Sequence, residues 1–175
     1  LIKKNNIKLV LQDSDILFED NHLIIVNKPC GVLVQGDKTG DTPLLEVIKK
    51  YIKEKYDKKG NVFLGLVNRI DRPTSGIVIY SKTSKALSRM NEKLKKREIK
   101  KIYWLIISNK FGYKEGKLEG WFKKNNKKNK SFFFDNEKSD SKFGQLTFKK
   151  IQTLDKYCKV EVNLITGSHH QIKCN

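Results

Sequence analysis

Residues 68–80 read Asn68-Arg69-Ile70-Asp71-Arg72-Pro73-Thr74-Ser75-Gly76-Ile77-Val78-Ile79-Tyr80. A polar segment broken by Pro73 runs into the apolar run Gly76–Tyr80, so the pattern predicts a loop over Asn68 to Ser75 and then a strand. Val62 to Val67 reads as the strand that enters the loop. Within the loop, one acid lies between two arginines, and Pro73, with its fixed φ, and Gly76, free to take a turn conformation, set the backbone around it. Loops at strand ends are common places for catalytic groups. A guanidinium close to Asp71 would keep it ionised, ready to act as nucleophile or base. On these residues alone, a surface ion pair beside a turn is the commoner outcome.

Working outward, His22 to Pro29 has four consecutive apolar residues and ends at a proline, which reads as a buried strand. Residues 30–41 are Gly-rich and turn-like. Thr42-Pro43 then reads as an N-cap with Pro at the first helical position. Leu44, Leu45, Ile48, Tyr51 and Ile52 follow at helical spacing. After Tyr80, Thr83 or Ser84 can cap a helix with Leu87, Met90 and Leu94 on one face and Arg89, Lys93, Lys96 and Arg97 on the other. Apolar or alternating segments then recur at Ile102–Ile107, Leu118–Phe122, Ser131–Phe134, Leu146–Ile151 and Cys158–Ile165, which suggests antiparallel strands. Lys123 to Lys130 (KKNNKKNK) is expected to be an exposed hairpin or loop. His169 to Asn175 reads as the beginning of a helix. The expectation is an α+β fold: a mixed, mainly antiparallel sheet with flanking helices in one domain over residues 1–175. Because a helix begins where the chain stops, that domain is expected to be truncated at its C-terminus.

The chain has 175 residues, enough to bury a core without disulfide or metal staples. Its apolar runs are too short to span a bilayer as helices, and no signal peptide is read at Leu1-Ile2-Lys3-Lys4. A cytoplasmic protein is expected. Cys30, Cys158 and Cys174 form no CxxC pair, so neither a disulfide framework nor a cysteine zinc site is expected. Adjacent His169 and His170 do not face one point on a helix, and no metal is expected there. The Gly36–Gly40 pair lacks the spacing and lysine of a P-loop. With 37 Lys and Arg against 19 Asp and Glu, the formal charge is +18. From Arg89 to Lys130 there are 15 basic and 4 acidic residues. Such clustering favours a polyanionic partner, although a generally Lys-rich composition would give the same total.

The segment NRIDRPTSGIVIYSKT resembles the signature of the RluA family of pseudouridine synthases, written HRLDxxTSG before a short hydrophobic strand. The resemblance makes Asp71 the catalytic carboxylate and places Arg69 at the opened RNA site. Asn68 stands where many members have His. Two further segments occur in the family's order. Lys101-Ile102-Tyr103-Trp104 resembles KxYxA, with Leu105 in place of Ala, and implies that Tyr103 lies against the target base. Thr166-Gly167-Ser168-His169-His170-Gln171-Ile172-Lys173 resembles TGRxHQIR. Ser168 replaces an Arg there, and Lys173 takes the place of the basic residue that pairs with the aspartate. Lysine keeps the charge but loses the bidentate fork. IIVNKPCGVLVQ is similar to the family's NKPxG segment.

The resemblance therefore implies the pseudouridine synthase catalytic fold and isomerisation of uridine in structured ribosomal or transfer RNA. It assigns Asp71, Tyr103 and Lys173 to catalysis and Arg69, Arg72, Lys101, His170 and Gln171 to RNA. No cofactor, no membrane, no separate N-terminal RNA-binding domain and a monomer are expected. A non-catalytic RNA-binding protein on the same fold is the main alternative, since Asn68, Ser168 and Lys173 all depart from the pattern. A basic ribosome-associated structural protein has no need of the Asp71 loop. A hydrolase would need a second carboxylate at a motif.

Overall fold

The computed structural model describes residues 11–125, 130–168 and 170–174. They fall into two compact units that divide between Leu94 and Lys95.

The first unit holds β1 (Ile16–Glu19), β2 (Leu23–Lys28), β3 (Gly65–Leu66) and β4 (Gly76–Ser81) in the order β1-β2-β4-β3, with every pairing antiparallel. β2 and β4 pair from Leu23 opposite Ser81 to Lys28 opposite Gly76. The two-residue alternation turns Ile24, Val26 and Lys28 to one face, with Val78 and Tyr80 beside them. α1 (Leu44–Lys55) covers that face with Leu44, Ile48 and Ile52, spaced four apart. These aliphatic side chains are fully buried, and each contributes about 2 kcal/mol through burial. Pro43 occupies the N-cap of α1, so the helix begins one residue later than the sequence suggested. The reason lies in the preceding loop: the Leu44 and Leu45 N–H groups donate to the carbonyls of Leu33 and Val34, at 2.7 and 3.3 Å. The Thr42 hydroxyl is not needed as a cap. α2 (Ser84–Lys95) begins behind Thr83, whose hydroxyl accepts from the Ala86 N–H at 3.1 Å.

The second unit holds β5 (Lys101–Ser108), β6 (Glu115–Asn125), β7 (Lys130–Phe134), β8 (Lys142–Thr153) and β9 (Tyr157–Leu164). Their order is β5-β9-β8-β6-β7, again antiparallel throughout. Leu146, Phe148, Cys158, Val160 and Val162 form its core. Leu105, Ile107 and Ile172 pack against that core, the last from α3 (Gln171–Cys174).

The α+β expectation holds, with two antiparallel sheets rather than one mixed sheet. β1 has no counterpart in the sequence reading, and Val62–Val67 yields only the two-residue β3. Lys123–Asn125 and Lys130 extend β6 and β7, with Asn125 opposite Lys130. The rest of the KKNNKKNK segment and His169 lie outside the described residues.

Candidate active site

Asp71 sits in the loop between β3 and β4. The Thr74 N–H donates to the Asp71 carbonyl at 3.0 Å, closing a turn with Arg72-Pro73 at its centre. Gly76, with φ of 134°, begins β4 in a backbone region that L side chains rarely adopt. At the other end the Asn68 amide ties the loop to the same strand. Its Nδ2 donates to the Ile77 carbonyl at 3.1 Å, and its Oδ1 accepts from the Ile79 N–H at 2.7 Å. Asn68 thus closes a main-chain pairing, which gives a local reason for an amide at this position.

A buried lysine holds the loop from the sheet side. Lys28 has no exposed surface. Its ammonium donates to the carbonyls of Pro29, Val32 and Arg72 at 3.0, 2.8 and 3.2 Å. Burial pulls this ammonium below the ordinary lysine range, while the Asp71 charge opposes the shift.

Arg72 bonds to residues of the 29–41 segment. Its Nε donates to the Gly31 carbonyl at 2.9 Å, and its Nη1 lies 2.8 Å from Oδ2 of Asp41. Arg69 is exposed.

In the second unit, alternation along β5 turns Lys101, Tyr103, Leu105 and Ile107 towards the core side, all half-buried. Ile102, Trp104 and Ile106 are exposed on the other side. Lys101 lies opposite Leu164, and its ammonium adjoins Gly167. The Lys101–Tyr103 segment and the Thr166–Lys173 segment therefore meet. Burial, helped by the nearby Arg97 charge, pulls the Lys101 ammonium below the ordinary lysine range.

Gln171, expected on RNA, is turned inward and only 2% exposed. Its Oε1 accepts from the Thr166 hydroxyl at 3.0 Å and from the Ser168 N–H at 2.9 Å, so it shapes the turn that leads into α3. His170 is half-buried with a positive φ of 54°, and Lys173 is exposed on α3. Among the described residues, no group of three or more His, Cys, Asp or Glu is arranged to hold a metal ion, and no helix is long and apolar enough to cross a membrane.

Residues 22–175 match the family model described as RNA pseudouridylate synthase. The chain belongs to that family. Ribosomal large subunit pseudouridine synthase C of Buchnera aphidicola subsp. Baizongia pistaciae is 30% identical over 176 residues, covering 98% of this chain and 52% of that protein. Its counterpart in Haemophilus influenzae is 36% identical over 106 residues, covering 61% of this chain and 31% of that protein. The solved structure of human RNA Pseudouridylate Synthase Domain Containing 4 superposes with a TM-score of 0.71 at 20% identity, over 92% of this chain and 62% of the other, and shows the same fold. The chain spans about half the length of the first of these relatives.

Three residues that shape the Asp71 loop in this member of the family escaped the sequence reading. Lys28 was readable in principle, because the alternation that buries Ile24 and Val26 reaches it two residues later. Asp41 carried no signal, since nothing in residues 30–41 marks which acid faces Arg72. Asn68 registered only as a departure from a motif.

Proposed function

We propose that this protein isomerises uridine to pseudouridine in structured RNA, acting as a cytoplasmic monomer with Asp71 as its catalytic carboxylate. The observation that supports this most is the Asp71 loop itself. In a chain of the RNA pseudouridylate synthase family, that loop is pinned by Asn68 and Lys28, and its one acid lies within the electrostatic reach of a buried cation. Ribosomal RNA is the favoured substrate class over transfer RNA, because similar proteins carry large-subunit names.

The reaction breaks the N-glycosidic bond of uridine, turns the base and rejoins it through C5. The base must first leave its stack, which costs a few kcal/mol and less in a loop. Asp71, held ionised, acts on the ribose or the base. The resemblance adds Tyr103 against the uracil, where it also serves as base for the final proton removal, and Lys173 as a further cation for the carboxylate. The basic stretch from Arg89 to Lys130 supplies phosphate contacts. The isomerisation is redox-neutral, and these roles call for no cofactor.

Asp71→Ala in the full-length protein is expected to abolish pseudouridine at its target sites in cellular RNA while RNA affinity is retained. Sites still modified in cells that carry only this variant would refute the assignment.

A further inference from the structure

We infer that Arg72 is a positioning residue for the Asp71 loop, locking the 29–41 segment to it, and is not a contact to RNA. This rests on the reading of Asp71 as the catalytic carboxylate.

Arg72 is fastened at both its side chain and its main chain. Its Nε donates to the Gly31 carbonyl at 2.9 Å, and the Gly31 N–H donates back to the Arg72 carbonyl at 2.8 Å. That carbonyl also accepts from buried Lys28 at 3.2 Å. Gly31 meets both bonds at a φ of 85°, with open space where a Cβ would stand, so conformation rather than crowding calls for glycine.

The guanidinium also meets an acid. Nη1 lies 2.8 Å from Asp41 Oδ2, and the Arg72 charge also reaches Asp37. Thr39 joins those two carboxylates, donating its hydroxyl to Asp37 and to Asp41. A phosphate approaching Arg72 would therefore meet two carboxylates beside one cation. Geometry of this kind suits a clamp, because the fork of an arginine satisfies a carbonyl and a carboxylate together while a lysine offers only a point charge. Asp71 is the residue directly before Arg72, so loosening the clamp loosens the carboxylate.

The test uses the full-length protein and ribosomal RNA labelled with 5-tritiated uridine, taken from cells that lack the protein. Tritium release at saturating enzyme gives the rate, and filter binding gives the affinity. Arg72→Ala, Arg72→Lys and Asp41→Asn are each expected to slow release about 10- to 100-fold through misplacement of the carboxylate. RNA affinity should stay within about twofold of the parent, which separates positioning from binding. The Arg72→Ala/Asp41→Asn double variant should be no slower than the slower single variant, because the pair acts as one unit. Weakened binding at an unchanged saturating rate in Arg72→Ala would overturn the inference, as would full activity of Arg72→Lys or of Asp41→Asn. Asp41→Asn, an isosteric change at a partly exposed side chain, keeps the test decisive if the arginine variants fold poorly. Asp71→Ala run in parallel separates the two claims. Release from that variant refutes the catalytic assignment, whereas an inactive Asp71→Ala beside fully active clamp variants refutes only the role of Arg72.

Discussion

Lys28 shows how one residue can carry an interaction that composition hides. An ammonium without exposed surface is costly unless its donors are met, and here three carbonyls meet them. Replacing it with methionine keeps the volume and removes the donors. The Arg72 carbonyl keeps its bond from Gly31, but Pro29 and Val32 lose a buried donor. Lys28→Met is therefore expected to lower unfolding stability by about 3 kcal/mol, read from urea denaturation. An unchanged midpoint would mean that the ammonium does no more than offset its own burial. Asn68 makes the same point for the sequence reading. The motif located the loop, but the bonds that hold it run to Gly31, Ile77 and Ile79, and no local pattern announces such partners.

At the level of elements, legibility followed apolar content. β2, β4, β5 and β9 are rich in aliphatic residues, and the strand pattern was readable in each. β1 was not, because Leu17 and Phe18 point outward and the strand has only four residues. Yet β1 carries Glu19, which accepts hydrogen bonds from Lys55, Tyr51, Tyr56 and Lys82 and so joins β1 to α1 and to the residue after β4. Burial raises this carboxyl, but the bonds from Lys55, Lys82, Tyr56 and Tyr51 outweigh it and bring it from 4.5 down to about 2. A carboxyl depressed in the fold adds stability above its unfolded value and loses it as pH falls through the folded one. The first unit should therefore lose about 3 kcal/mol between pH 4.5 and about 2, and Glu19→Gln should flatten that part of the acid denaturation profile. A profile equally steep in Glu19→Gln would assign the acid sensitivity elsewhere. In the second unit, Gly144 leaves room for the Phe122 ring and for Gln171. Gly144→Ala is expected to cost about 2 kcal/mol by overpacking, measured as a lowered Tm.

For the whole molecule, net charge was the plainest property of the sequence and the least specific. A charge of +18 predicts attraction to any polyanion, and it does not say which cations touch RNA. The structure begins to sort them. Lys28 is enclosed by carbonyls, Lys101 is partly buried at Gly167, and Arg72 is held by Asp41, whereas Arg89 and Lys124 are exposed on α2 and β6. Salt dependence separates the two groups, because each phosphate contact adds about 0.7 to 0.9 to the slope of log affinity against log salt. Arg89→Gln and Lys124→Gln are each expected to reduce that slope by about one, measured by filter binding of a ribosomal RNA fragment across a salt series. Arg72→Ala should leave the slope unchanged, because its charge already has carboxylates around it. A slope lowered by Arg72→Ala and untouched by the other two would place a phosphate contact at Arg72 and take such contacts away from the basic stretch.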